Sequence, residues 1–249
     1  MALRLHLPSL GDTDPGLSSS PFELPPAAAR HVQVRRLQPG DPLRLFDGKG
    51  REWDASVTHM GRQSAQVQLI GPVAVLPELP WPVTLAVGMP ANERMDTLVE
   101  KLAELGAAIV QPLITSRSVL RLDRERAQRR REHWQAVASA ACEQCGRATV
   151  PVVALPQTLE RWFESLGESG DGRRWLLSPE PTASPLASDT PPAAGRGVVA
   201  LSGPEGGLSP AEAAAAAGRG FVPVSLGPRV LRADTAPLAA MAWLSLWRA

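Results

Sequence analysis

The sequence predicts an α/β protein: a C-terminal domain built on a mostly parallel sheet, preceded by a small module of short strands. Three observations carry this. Residues 1–72 alternate short strand patterns with turn signals. Beyond residue 82, apolar runs of strand length alternate with stretches of helical spacing, the pattern of a parallel sheet covered by helices. Between them lies a stretch, Pro72 to Pro82, with four prolines and few charges, read as a linker over 73–82.

In the first module, apolar and polar residues alternate in Leu43-Arg44-Leu45-Phe46 and Ala65-Gln66-Val67-Gln68-Leu69, as in strands with one buried face. Pro39-Gly40-Asp41 and Asp47-Gly48-Lys49-Gly50 mark turns, so a small β-barrel is expected over 1–72. In the second domain, 83–249, Val83 to Val87 reads as a buried strand. Met95, Leu98, Val99, Leu102 and Leu105 then fall on one helical face. Ala108 to Leu113 reads as a strand, and Arg124 to Cys142 as a helix with Trp134, Val137 and Ala141 on one side. Trp175-Leu176-Leu177 and Val198 to Leu201 read as two more strands, with a loop rich in Pro, Ser, Ala and Gly between them. No internal repeat is visible.

Composition narrows the function classes. Of 249 residues 44% are apolar and 20% charged, enough for a core and too few charges for a disordered chain. The net charge of +1 announces no nucleic-acid partner in bulk. Locally, residues 117–147 carry eight arginines against four acids, a patch that suits RNA or a solvated helix face. Cys142 and Cys145 form a lone C-x-x-C with no second ligand pair, so neither a zinc site nor a redox site is expected, and no metal. No apolar run reaches the length of a membrane span and no leader pattern is evident, so a cytoplasmic protein is expected.

The stretch from Leu201 to Glu212 carries the chemistry. A strand ends at Leu201, a turn with three glycines and a proline follows, and Ser209, Pro210 and Glu212 form a capping box at the start of a helix. Strand, glycine turn, helix is how α/β proteins bring backbone N–H groups to a ligand at the carboxyl ends of strands. The turn is neither a dinucleotide fingerprint nor a P-loop. Glu205 inside it would repel a phosphate but suits a cationic centre or ribose hydroxyls. A second loop, Leu226 to Ala236, carries Gly227, Arg229 and Arg232, with Asp234 or Thr235 able to cap the last helix and Pro237 in its first turn. Its arginines either serve a ligand or pair with Glu205 and Asp234.

Gly203-Pro-Glu-Gly-Gly207 followed by Leu226-Gly-x-Arg-Val-Leu-Arg-x-x-Thr-Ala236 resembles the RsmE family of SPOUT-superfamily methyltransferases. Arg30-His31 with Val34-Arg35-Arg36-Leu37, then Pro39-Gly40-Asp41 and Phe46-Asp47-Gly48-x-Gly50, is similar to that family's PUA-like RNA-binding module. Lys101 to Gly106, Pro112-Leu113, Arg117-Ser118, Glu143-Gln144-x-Gly146-Arg147 and Pro151 continue the likeness in the family's order. Three positions depart from it: Ala233-Asp234 stands where the family has Thr-Glu, and Cys145 where it has Ser.

The resemblance implies a homodimer with a C-terminal SPOUT domain, a deep trefoil knot and an N-terminal PUA-like β-barrel. It implies S-adenosyl-L-methionine as cofactor and N3 of uridine 1498 in 16S ribosomal RNA of the small subunit as target. Its cofactor pocket falls on Leu177, Leu201, Ser202, Gly203, Pro204, Glu205, Gly206, Leu226, Gly227, Val230, Leu231 and Arg232. Uracil N3 carries a proton, so the site needs a base, or a cation that stabilises the anion formed on the uracil oxygens. Arg232, with Arg229 behind it, is expected to supply the cation, and Glu205 or Asp234 to take the proton or orient the ribose. Arg30, His31, Arg35 and Arg36 are expected on RNA, with Arg117, Arg121 and Arg147 extending that surface. The rival is a non-catalytic RNA-binding or ribosome-assembly protein on the same fold; a nicotinamide oxidoreductase lacks its fingerprint.

Overall fold

A computed structural model describes residues 2–12, 20–90, 94–118, 123–167, 170 and 172–247. The chain forms two compact units, Met1–Glu78 with Cys142–Val150, and Leu79–Ala141 with Pro151–Ala249. The contiguous division expected from the sequence omits the return of 142–150 to the first unit.

The first unit is a five-stranded sheet with the order β1-β3-β4-β5-β2. Its strands are β1 (Leu3–His6), β2 (Phe22–Glu23), β3 (Pro42–Phe46), β4 (Glu52–Met60) and β5 (Ala65–Pro72). β1 runs parallel to β3 and the other pairs are antiparallel. The predicted alternation is what buries Leu43, Leu45, Ala65 and Val67 on one face, against Leu5, Trp53 and Val57. Register shifts in β4 between Asp54 and Ala55 and between Val57 and His59 bend the sheet. No ladder joins β1 to β2 among the described residues.

One element was not expected: helix α1 (Pro26–Val34), which begins with proline at its first position and buries Ala29 and Val32. It ends without glycine. Arg36 takes φ +58 instead, a left-handed conformation that costs a non-glycine residue about 1–2 kcal/mol. The turn it makes is closed by Arg36 N–H to Gln33 O and Leu37 N–H to Val32 O.

Buried Arg4 ties 142–150 into this unit. Its guanidinium holds the Glu52 carboxylate through two bonds of 2.9 Å and donates to the carbonyls of Cys142, Glu143 and Arg147. A cation on helix-end carbonyls satisfies groups that a helix terminus leaves unpaired.

The second unit is an eight-stranded sheet in which every ladder is parallel. Its elements are β6 (Val83–Gly88), α2 (Arg94–Glu104), β7 (Ile109–Ile114), α3 (Arg124–Cys145, through Ala141), β8 (Val152–Val153), β9 (Gln157–Thr158), α4 (Leu159–Ser165), β10 (Arg173–Leu177), β11 (Ser184–Pro185), β12 (Val198–Ser202), α5 (Pro210–Gly218), β13 (Val222–Ser225) and α6 (Thr235–Ser245). The order is β11-β13-β10-β12-β6-β7-β8, with β9 also on β7. The spacing predicted for α2 buries Met95, Leu98, Val99 and Leu102, and α2 packs on α6, which also packs on β12. Trp162, Phe163 and Phe221 meet with ring centroids 5.6 to 6.0 Å apart, over Leu176, Leu201 and Ala216.

The proline-rich stretch is held along its length rather than free. Val73 N–H donates to Glu52 O, Glu78 pairs with Arg147, and Pro80 O accepts from Gly195 N–H.

Candidate active site

Three adjacent parallel strands set the site. β13, β10 and β12 lie side by side, with Leu176 paired to both Leu201 and Pro223. Parallel neighbours end on the same side, so the loops leaving their carboxyl ends (178–183, 203–209 and 226–234) come together there. β12 also lies between β10 and β6, where the strand order reverses. The loops line a cavity of about 540 Å³.

The first of its walls is the glycine turn. The capping box forms as expected: Ser209 Oγ accepts from Glu212 N–H at 3.3 Å and the Glu212 carboxylate accepts from Ser209 N–H at 2.7 Å. Two of the glycines are there because of close approach. A Cβ on Gly203 would lie 2.8 Å from Gly207 C and Leu208 N, and one on Gly88, at the end of β6, would lie 2.6 Å from Pro204 N. Gly207 takes φ +68. The second wall is 226–234, where Gly227 takes φ +114 and Ser225 Oγ accepts from its N–H.

Most residues assigned to the cofactor from sequence meet here. Leu177, Ser202, Gly203, Pro204, Glu205, Gly206, Leu226, Gly227, Val230, Leu231 and Arg232 line the cavity, as do Arg229 and Arg117. Leu201 does not; it is wholly buried in the core beneath. Ser178, Pro179, Glu180, Leu208 and Ala213 line it without having been singled out. The loop after Leu177 looked variable in composition, and only the strand order puts Glu180 opposite the glycine turn.

Glu205 pairs with Arg94 at 3.4 Å, and both are partly exposed. Arg229 and Arg232 are exposed and make no side-chain hydrogen bond or ion pair among the described residues. The alternative in which they pair with Glu205 and Asp234 is not what the geometry shows. Asp234 stands at the N-cap of α6 but its side chain caps nothing, and it lies outside the cavity lining. Its Oδ1 is buried without a hydrogen-bond partner among the described residues.

The lining suits S-adenosylmethionine in kind. Leu177, Leu208, Leu226 and Ala213 offer apolar walls to an adenine, and Glu180, Glu205 and Ser202 offer acceptors to ribose hydroxyls and a cationic centre. The missing Cβ of Gly203 lets the turn fold back onto its own backbone at Gly207 and Leu208.

The expected RNA residues divide. Arg30 lies exposed on α1 with Arg35 and Arg36 just beyond it, and His31 is half-buried with Nδ1 4.0 Å from Glu143. Arg147 is 8% exposed with its guanidinium on Glu78, so it is a structural cation rather than a surface one. Arg117 lies on the glycine turn, its guanidinium donating to Gly206 O at 2.6 Å. Arg121 falls outside the described residues. Cys142 and Cys145 end α3; Cys142 is buried, and its hydrogen bond with Cys145, then burial, push its thiol pKa up. Among the described residues no cluster of three metal-ligating side chains occurs, and no helix is long and apolar enough to cross a membrane.

Comparison with known proteins shows the family. A model of the RNA methyltransferase domain matches residues 77–245, and one of the RNA methyltransferase PUA domain matches residues 24–70. The chain is 37% identical to a ribosomal RNA small subunit methyltransferase E of Synechocystis, over 86% of this chain and 68% of that one. It is 30% identical to the protein of that name in Bacillus subtilis, over 86% and 85%. The crystal structure of ribosomal RNA small subunit methyltransferase E from Neisseria gonorrhoeae bound to S-adenosyl methionine superposes with a TM-score of 0.86 at 33% identity, covering 98% and 96% of the two chains. With sequence, domain order and fold in agreement over nearly its whole length, the chain belongs to the ribosomal RNA small subunit methyltransferase E family.

Proposed function

We propose that this chain is an S-adenosylmethionine-dependent methyltransferase of 16S ribosomal RNA, acting on N3 of uridine 1498 in the small subunit. The observation that carries the reading is the meeting of three strand-end loops at one cavity, with Glu205 and two arginines that have no partner among the described residues in its lining. The cofactor supplies an electrophilic methyl group on a sulfonium.

The chain's own residues do the rest. The apolar walls exclude water, and the two loops hold cofactor and base for an in-line approach. The base must leave its stack in the folded RNA to enter the cavity. Arg232, seconded by Arg229, stabilises the negative charge that grows on the uracil oxygens as N3 loses its proton. Glu205 takes that proton or holds the ribose, and its pairing with Arg94 at 3.4 Å holds it in place. Asp234, off the cavity lining, is the weaker candidate. Arg30, His31, Arg35 and Arg36 hold RNA phosphates from the first unit, and the strained backbone at Arg36 fits a functional position.

The reading extends to the assembly. A homodimer and a trefoil knot come with the family; the return of α6 onto α2 and β12 after the 226–234 loop supports the knot. A protein that modifies ribosomal RNA acts in the cytoplasm.

Two measurements test this. Titration calorimetry is expected to give one S-adenosylmethionine per subunit; no signal with it or its demethylated product favours the non-catalytic RNA-binding protein. Mass mapping of small-subunit RNA from a strain lacking the gene should show one methylated uridine lost, and an unchanged pattern overturns the substrate.

A further inference from the structure

Glu212 does more than close a capping box. Its Oε2 accepts from Ser209 N–H at 2.7 Å and from the Ser116 hydroxyl at 2.9 Å, and its Oε1 accepts from Ser116 N–H at 2.7 Å. The side chain is 6% exposed. Burial works to raise its pKa, but the bonds from Ser116 and Ser209 outweigh it and hold the carboxyl below its ordinary value. One buried carboxylate thus joins the start of α5 to the turn that follows β7.

That turn is itself braced: Thr115 N–H donates to Ser118 Oγ at 2.9 Å, and Ser118 N–H to Thr115 O at 3.1 Å. From it Arg117 crosses to the glycine turn. A Cβ on Gly206 would lie 3.3 Å from Arg117 Cβ and Cδ, so the arginine stem rests on bare backbone, and its guanidinium holds the Gly206 carbonyl at 2.6 Å. The Gly203–Ser209 segment is therefore gripped at Gly206 by Arg117 and at its far end, Ser209, by Glu212.

We propose that Glu212, Ser116 and Arg117 form a clamp that sets the shape of the cofactor turn, with Arg117 a positioning residue for cofactor binding rather than an RNA contact. The inference rests on the cofactor reading above. A turn with three glycines has many conformations to lose, and a site populated only part of the time binds correspondingly more weakly. The clamp removes that loss before the ligand arrives, so its effect falls on cofactor affinity.

Arg117→Met tests it, because it keeps the stem on Gly206 and removes the bond to its carbonyl. The Kd for S-adenosylmethionine, measured by calorimetry, is expected to rise about five- to tenfold, the loss of one charge-assisted hydrogen bond. The KM for ribosomal RNA at saturating cofactor should stay within about twofold, since phosphate contacts would be untouched. Ser116→Ala, which deletes one bond to the buried Glu212 carboxylate, is expected to raise the cofactor Kd in the same direction and to lower the melting temperature by a few degrees. A raised RNA KM with an unchanged cofactor Kd overturns the clamp and makes Arg117 an RNA contact. No signal from the wild-type protein overturns the cofactor reading and the clamp with it, whereas a wild-type signal matched by Arg117→Met overturns the clamp alone.

Discussion

At the scale of single residues, charge in the site is unevenly satisfied. Glu205 has Arg94 and Arg117 has the Gly206 carbonyl, while Arg229 and Arg232 line the cavity with no partner among the described residues. An unpaired cation beside a cavity is available to a developing anion without first breaking a bond. Arg232→Ala is therefore expected to lower kcat about 100-fold at saturating S-adenosylmethionine. Arg229→Ala should cost less, both followed by tritium transfer into ribosomal RNA; near-normal turnover in Arg232→Ala removes the role from it. Glu205 and the arginines stand out in the sequence because charge in or beside glycine loops is hard to explain structurally, and all three line the cavity. Asp234, buried at Oδ1 and off the cavity lining, and Arg147, held by Glu78, take positions that depend on burial and on residues far along the chain. Nothing in residues 145–149 announces that partner.

At the scale of elements, legibility followed the strength of local signals. The capping box over Ser209 to Glu212 needs only four residues at fixed spacing, and it forms as predicted. Helix α1 was missed because the residue that closes it is Arg36, where a glycine would have marked the end. The glycine turn was visible, yet why each glycine is required was not. Gly203 faces Gly207 and Leu208 across the turn, and Gly88 faces Pro204 from another strand. Gly203→Ala puts a methyl 2.8 Å from backbone that cannot yield without opening the turn. Overpacking of this kind costs about 1–3 kcal/mol, and here it falls on the cofactor wall. Calorimetry is expected to show cofactor binding weakened more than about tenfold; an affinity like that of the wild type would show that the turn is not the cofactor wall.

At the scale of the molecule, the domain pattern departs most from a linear reading. The second unit claims α3 up to Ala141, and the next nine residues, 142–150, belong to the first unit. Arg4 and Glu52 secure them, with side chains 6% and 4% exposed. Removing one partner of a buried, hydrogen-bonded pair strands the other charge, and here it also frees three carbonyls. Arg4→Met is expected to cost about 3–5 kcal/mol, read as a lower urea midpoint. Arg129→Met, at an exposed pair with Glu125, should leave the midpoint unchanged. Equal midpoints for the two variants would show that 142–150 is held by other contacts.

By itself, the sequence determined the alternation of strands and helices, the glycine turn with its internal Glu205, and the two-loop motif that marks the family. These are written in residues adjacent along the chain, where spacing and turn chemistry act directly. The tertiary structure decided what depends on strand order. It placed β13, β10 and β12 side by side so that their loops share one cavity, brought Glu180 and Arg117 to it, and took Arg147 and Leu201 into the interior. Parallel neighbours are joined through long crossovers, so which strands touch is settled by packing over the whole sheet, not by any local signal.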